Sequence, residues 1–135
     1  MKLAKTVLAT FCFLLSLALC ATSVLAADFN EIQNLAEQGD ARAQFNLAKM
    51  YDKGEGVQQD KQKAAEWYQK AAEQGLAIAQ FNLGVLYENG DGVEQNKAIA
   101  EEWYSKACAK GSEKACKAVK RLSEKSGTDF ETIFC

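Results

Sequence analysis

The chain has 135 residues, of which 48% are apolar and 25% charged, a composition that excludes a disordered chain and fits one ordinary globular domain. Its formal charge is -2, and no segment after the N-terminal one is apolar enough to span a bilayer. A mildly acidic chain without a basic patch does not match the pattern of nucleic-acid-binding proteins, so we expect no nucleic-acid partner.

The first 26 residues have the pattern of a cleavable export signal. Lys2 and Lys5 give a positive start, an apolar run covers residues 7–19, and Val24 and Ala26 form a small-residue cleavage site. Cleavage after Ala26 would leave a mature chain of charge -4, because both lysines leave with the signal. The sequence therefore predicts a periplasmic or secreted protein with no membrane span after cleavage.

Two alternatives exist for this segment. Cys20 is a candidate lipid-modified cysteine, but Leu19 precedes it at a position where lipoprotein signals carry a small side chain. An uncleaved signal anchor is the other alternative, and the short apolar core and the small residues before Ala27 argue against it.

The mature part repeats itself with a period of 36 residues. When residues 36–71 are aligned with residues 72–107, 22 of the 36 positions are identical. Periods of 20 to 50 residues are typical of solenoid arrays, in which each unit buries its apolar face against its neighbours. The sequence therefore predicts stacked copies of one supersecondary unit.

Two helices are predicted in each unit. In the first copy, apolar residues recur at helical spacing from Ala43 to Tyr51, and Gly54 stops this helix. Asp60 is placed to cap a second helix that ends at Gly75, and Asn96 has the same place in the second copy. The second helix of each unit carries small alanines that allow close packing and a large tryptophan, Trp67 or Trp103, that we expect to pack in the core.

Partial units flank the two complete ones. Residues 28–39 match the end of a second helix, and residues 112–122 match the start of a first helix, so both are predicted to cap the stack. The expected fold is an all-α, right-handed αα-hairpin solenoid of about six helices over residues 27–125. Residues 126–135 would form a C-terminal tail.

Several motifs hold at fixed offsets within the repeat. They are the GxGV loop at Gly54 and Gly90, WYxKA at Trp67 and Trp103, and AxxxLGxxY beginning at Ala79. This set resembles the Sel-one-like repeat (SLR) family, a relative of the tetratricopeptide arrays. The resemblance implies a non-catalytic scaffold without cofactor or metal, which presents a concave helical surface to a segment of an envelope or secreted protein.

The segment ACAKGSEKAC ending at Cys116 is similar to the cysteine-rich exported subgroup of this family. Members of that subgroup are described as binding or weakly hydrolysing β-lactams, and this is the alternative function. The chain departs from the subgroup at its two earlier junctions, where the equivalent positions hold Ala36 with Gln44 and Ala72 with Gln80.

Three cysteines remain after signal cleavage, so one pair and one odd cysteine are expected. Cys108 would lie in the last turn of one helix and Cys116 in the first turns of the next, close enough for a structural disulfide in an oxidising compartment. A catalytic dithiol is the alternative, although redox pairs favour Cys-x-x-Cys spacing. Cys135 would be a free thiol, a mixed disulfide with a small thiol, or an intermolecular bond.

The sequence offers no catalytic residues. It contains no histidine, which removes imidazole-dependent triads and the commonest zinc ligand. Ser-x-x-Lys, the motif of serine β-lactamases, is absent from the mature part. Adjacent acids such as Glu101 and Glu102 are interpreted as solvated helix surface.

Repeating polar residues of the first helices are the candidate partner contacts. Asn46 and Asn82 occupy the same position in the two copies and could bond the backbone of an extended peptide, or could instead satisfy a neighbouring hairpin. Arg42 and Lys49 are candidate specificity positions, because the second copy has different residues there, Ile78 and Val85.

Overall fold

The computed structural model describes residues 28–126, and within that range the chain forms six α-helices and no strand. The helices are α1 (28–37), α2 (Ala41–Lys53), α3 (Lys61–Glu73), α4 (Ala77–Asn89), α5 (Lys97–Ala109) and α6 (Glu113–Ser126). The predicted signal peptide, Cys135 and most of the predicted tail lie outside the described residues. Among the helices described here, none is long and apolar enough to cross a membrane.

Side-chain caps begin four of the helices. At α6 the cap is the Ser112 hydroxyl, which accepts a 3.4 Å hydrogen bond from the Ala115 amide. The Asp40 side chain accepts a 2.7 Å hydrogen bond from the Ala43 amide at the start of α2. Asp60 and Asn96 cap α3 and α5 in the same way, as the sequence predicts for both. Each cap satisfies amide groups that a helix start leaves without an intrahelical partner.

Glycines end the helices and turn the chain. The first helix of each complete unit ends at a left-handed residue, Gly54 or Gly90, with φ of 72° and 77°. Gly39, Gly75 and Gly111 lie between successive units with φ from 90° to 98°. A side chain at these values of φ would be strained, so the positions expected to close the helices do so.

The helices stack in chain order. Packing contacts join α2 to α3, α3 to α4, α4 to α5 and α5 to α6. At the N-terminal end, Phe29 and Ile32 of α1 pack beside Leu47 of α2. Because each helix packs mainly on its neighbours in sequence, the molecule is an αα-hairpin solenoid, as expected.

The interior combines small alanines with two large tyrosines. The alanines of α3 and α5 that face neighbouring helices are fully buried, and Tyr68 and Tyr104 are the largest fully buried side chains of the described part. Trp67 and Trp103 are half-buried and lie at the margin of this core, whereas we expected them to pack within it. Adjacent helix residues point about 100° apart, so a tryptophan and the tyrosine after it do not share one inward direction.

Lysines cover the outer sides of these tryptophans. Lys70 Nζ lies 3.9 Å from the ring centroid of Trp67, and Lys106 Nζ lies 4.2 Å from that of Trp103. Each lysine stem shields apolar ring surface while its ammonium group stays in water.

Hydrogen bonds tie the first two junctions between units. Gln44 Nε2 donates to the Ala36 carbonyl, and Gln80 Nε2 donates to the Ala72 carbonyl, both at 3.1 Å. Both glutamines are buried. An amide at this offset therefore holds the end of one hairpin to the start of the next.

A pair of cysteines occupies the same two offsets at the third junction. The sulfur atoms of Cys108 and Cys116 are 1.98 Å apart, and the Cα atoms are 4.7 Å apart. This disulfide spans the Gly111 turn and joins α5 to α6. A covalent bond thus stands where the earlier junctions have a hydrogen bond.

Candidate functional site

Helices α2, α4 and α6 present equivalent positions every 36 residues along one side of the stack. We call this side the first-helix face. It consists of Arg42, Phe45, Asn46 and Lys49 in α2, of Ile78, Phe81, Asn82 and Val85 in α4, and of Lys114, Lys117, Ala118 and Arg121 in α6.

A groove runs along this face between α4 and α6. One cavity of about 400 Å³ lies between Phe81 and Val85 of α4 and Lys114, Lys117, Ala118 and Arg121 of α6. A second cavity of about 410 Å³ extends past Ile78 to Gly111. The two cavities share Phe81 and Lys114. Together they form the α4–α6 groove, which follows the length of α4.

Aromatic and apolar side chains form the α4 side of the groove. The Phe81 ring packs on the buried Tyr104 ring with centroids 5.4 Å apart. Ile78, at one end, is 52% exposed, an unusual state for a large apolar side chain in this molecule. Apolar surface therefore remains available to a ligand after the helices have packed.

Tyr104, Glu88 and Arg121 form a polar cluster at the end of the groove opposite Ile78. The Tyr104 hydroxyl donates to Glu88 Oε2 at 2.8 Å, and Arg121 Nη2 donates to the same oxygen at 2.7 Å. The carboxylate thus fixes the Tyr104 ring from one side and the Arg121 guanidinium from the other. Burial, together with the adjacent Glu88 carboxylate, raises the pKa of Tyr104, so its hydroxyl stays protonated at neutral pH.

The two candidate asparagines have different surroundings. Asn82 is half-buried and its side chain is hydrogen-bonded to the hydroxyl of Tyr68. Asn46 is exposed, and the residue one repeat before Tyr68 is Ile32, which has no hydroxyl to bond it. Equivalent places in the sequence therefore differ in role: Asn82 supports a buried tyrosine, whereas Asn46 is open to solvent.

The other candidate contact residues lie on the same face. Arg42 is exposed and Lys49 is half-buried on α2. Their counterparts in α6 are Lys114 and Arg121, so basic residues occupy these positions in the first and last copies, with Ile78 and Val85 between them.

This face carries side chains that can bind another chain. Across residues 28–126, no group of three or more acidic, cysteine or histidine side chains is arranged to hold a metal ion. The groove offers apolar surface, lysine ammonium groups and one arginine, which are groups that recognise side chains of another chain.

The α6 wall of the groove lies in residues 112–122, for which the sequence pattern predicts only a cap of the stack. The offset of 36 residues carries Ile78, Phe81 and Val85 forward to Lys114, Lys117 and Arg121. That register alone places the three basic residues beside Phe81 and Val85.

Comparison with known proteins identifies the repeat. The model of the Sel1 repeat matches residues 41–76 and 77–112, the same period in a frame five residues later than the one we used. A comparison with curated protein sequences gave no match.

Solved structures that are similar to this chain include the following three. A Sel1 repeat protein from Oxalobacter formigenes is 43% identical, with a TM-score of 0.66 over 67% of this chain and 68% of that chain. A protective antigen of uropathogenic Escherichia coli with an SLR fold, c5321, is 36% identical, with a TM-score of 0.72 over 73% of this chain and 21% of that one. Helicobacter pylori cysteine rich protein B is 31% identical, with a TM-score of 0.64 over 67% and 68%. The expected resemblance is confirmed, and the chain belongs to the Sel1 repeat family.

Proposed function

We propose that this protein is an exported, non-catalytic scaffold that binds a segment of an envelope or secreted protein on its first-helix face. Sel1 repeat proteins generally mediate protein–protein interaction and are typically non-catalytic. The observation that carries the proposal is the α4–α6 groove, which keeps apolar side chains accessible on a surface that the repeat itself constructs.

Helix packing accounts for one side of each first helix and leaves the other free. In α4, Leu83 and Leu86 are buried against neighbouring helices, whereas Ile78 and Val85 keep exposed surface in the groove. Exposed apolar surface next to ordered polar groups is typical of interaction sites. The first-helix face therefore offers apolar contact area for a ligand and polar groups that orient it.

The groove favours a short ligand. Helix α4 has 13 residues, which corresponds to a length of about 20 Å at 1.5 Å per residue. An extended peptide covers that length with about six residues. A terminal segment or loop of the partner therefore fits better than a whole globular surface, and we expect modest affinity.

Two features support export. Lys2, Lys5 and the apolar run before Ala26 have the organisation of a signal peptide. The Cys108–Cys116 disulfide requires an oxidising compartment to persist. We therefore propose the periplasm or the extracellular space as the site of action.

A crosslinking pull-down from envelope extract tests the function. The face variant combines Asn46→Ala with Ile78→Ser, because neither side chain supports the buried core. The control variant combines Glu66→Ala with Glu102→Ala, two exposed residues of the second helices α3 and α5. We expect a specific protein to be captured by the wild type and the control and lost from the face variant.

Equal circular dichroism spectra and melting temperatures would show that both variants keep the fold. Capture of the same protein by all three forms would place binding elsewhere and contradict the proposal. The β-lactam alternative rests only on the likeness of the Cys108–Cys116 segment to the cysteine-rich subgroup, and a nitrocefin turnover assay on the purified chain tests it directly.

A further inference from the structure

We infer that the α4–α6 groove takes an extended peptide in which carboxylate side chains alternate with large apolar ones. The carboxylates would face α6, and the apolar side chains would face α4. This inference rests on the proposed function and specifies the chemistry of its ligand.

The α6 wall of the groove is positively charged. Lys114, Lys117 and Arg121 all line the groove. The one acidic residue of the lining, Glu88, already accepts hydrogen bonds from Arg121 and Tyr104. Within the described residues, Lys114 makes no ion pair, and Lys117 pairs only with the exposed Glu113. Two ammonium groups therefore remain available to carboxylates of a ligand.

The hairpin repeat does not require basic residues at these positions. The equivalent positions of α4 are Ile78, Phe81 and Val85, so the last copy replaces three apolar residues with three basic ones. Helix α6 packs on α5 through other residues, namely Ala115, Ala118, Val119 and Leu122. The basic wall is thus a feature of the groove and contributes little to the packing of the stack.

The spacing of the two lysines fits such a peptide. Lys114 and Lys117 are three residues apart on one helix, a rise of about 4.5 Å. In an extended peptide, side chains two residues apart lie on the same side and are separated by about 7 Å. Two carboxylates on alternate residues can therefore each reach one of these two long lysine side chains, and the residue between them points to the opposite side, toward Phe81 and Val85.

The charge of α6 is opposite in sign to the net charge of the chain. The chain carries a formal charge of -2, whereas α6 has five basic and two acidic residues. An acidic ligand is therefore attracted to this end of the stack in particular. Because the lysines are exposed, each contributes weakly and salt screens the attraction.

Fluorescence anisotropy with a defined pair of peptides tests the inference. The probe is fluorescein-labelled Gly-Ser-Glu-Phe-Glu-Ile-Glu-Gly-Ser, and its twin carries glutamine in place of each glutamate. The groove variant is Lys114→Gln with Lys117→Gln. The control variant is Lys120→Gln with Lys125→Gln, which removes the same charge from the same helix at exposed positions outside the α4–α6 groove.

At about 50 mM salt we expect the wild type and the control variant to bind the glutamate peptide with affinities within about twofold of each other. The groove variant should bind it at least about fivefold more weakly, and so should the wild type with the glutamine peptide. Raising the salt to about 0.5 M should remove most of the difference between the two peptides.

Equal binding of the two peptides, equal losses in the two variants, or no binding of either peptide would overturn the inference. The pull-down with Asn46→Ala and Ile78→Ser changes no lysine, so the proposed function can stand while this inference fails. Binding that appears only after residues 127–135 are deleted would also overturn it. That segment contains Asp129, Phe130 and Glu131 in the same alternation, and such a result would assign the groove to it.

Discussion

The two buried tyrosines show how one position of the repeat acquires two different hydrogen-bond partners. Tyr68 is bonded to Asn82 of the following unit, whereas the equivalent of Asn82 one repeat later is Ala118. Tyr104 bonds instead to Glu88 within its own unit, where the first copy has the shorter Asp52. Two differences between the copies, Asn82 against Ala118 and Asp52 against Glu88, thus accompany the change of partner, which links Tyr104 to the end of the groove.

Tyr68 should ionise well above the ordinary range of tyrosine. Burial is the main cause that raises its pKa to about 12 from 10.0; the bond to Asn82 lowers the pKa, and the Asp52 carboxylate raises it. Since the folded state favours the neutral hydroxyl, this contribution to stability is complete below pH 10 and is lost as the pH rises from 10 to 12. The phenolate absorbance of the wild type minus that of Tyr68→Phe should titrate near pH 12. A difference curve centred near pH 10 would contradict the assignment.

Gly84 is predicted to resist substitution by alanine. A Cβ atom there would lie 2.7 Å from two ring carbons of Tyr104 and 3.2 Å from the Ala100 carbonyl oxygen. We expect Gly84→Ala to lower the free energy of unfolding by about 1 to 3 kcal/mol, measured by urea denaturation, because the ring must shift away from its Glu88 contact.

The first repeat supplies the control for Gly84. Its equivalent is Ala48, which is fully buried without conflict beside Tyr68. Ala48→Gly should cost about 1 kcal/mol through helix propensity. If Gly84→Ala stabilised the protein by a similar amount, propensity would outweigh the contact with Tyr104, and the account of that ring would be wrong.

At the scale of elements, the junctions between hairpins are where the repeats differ most in strength. The first junction has a complete amide network, since Gln74 Nε2 donates to Gln44 Oε1 at 2.7 Å. At the second, Gln80 Oε1 is buried and has no hydrogen-bond partner in the described structure. A buried acceptor without a partner costs about 1 to 3 kcal/mol, so the second junction is the weaker of these two.

A second disulfide should therefore stabilise the protein at this junction. Ala72 and Gln80 have the same separation of eight residues as Cys108 and Cys116, and they occupy the same offsets. The variant Ala72→Cys with Gln80→Cys should gain about 2 to 3 kcal/mol in the free energy of unfolding when oxidised, because the bond restricts the unfolded chain. Urea denaturation of the oxidised variant and the oxidised wild type measures the gain. A loss of stability, with the bond shown by mass spectrometry, would mean that this junction differs in geometry from the third.

The helices were predictable because their signals are local. The cap at Asp60, the stop at Gly54 and the turn at Gly75 each depend on a few neighbouring residues, and the structure confirms all three. The role of Gln80 was not predictable, since its bond to the Ala72 carbonyl depends on how two hairpins meet. Trp67 was expected in the core, but helical spacing alone does not decide whether it or Tyr68 points inward.

For the whole molecule, the period of 36 residues determined the fold class, and it could also have located the groove. Stacking copies at a fixed offset places α4 beside α6, so the positions of Lys114 and Arg121 follow from those of Ile78 and Val85. The pairing of side chains has no local signal in the sequence. This holds both for the interaction of Asn82 with Tyr68 and for the Glu88 oxygen that Tyr104 and Arg121 share.

Photocrosslinking in cells that produce the protein tests the central claim, binding on the first-helix face, most directly. A photoreactive amino acid would replace Val85 in the groove or, as a matched control, Glu66 on the exposed side of α3. The account predicts that one partner protein is crosslinked from position 85 and that little or none is crosslinked from position 66. Equal crosslinking from both positions, or crosslinking from position 66 alone, would contradict it.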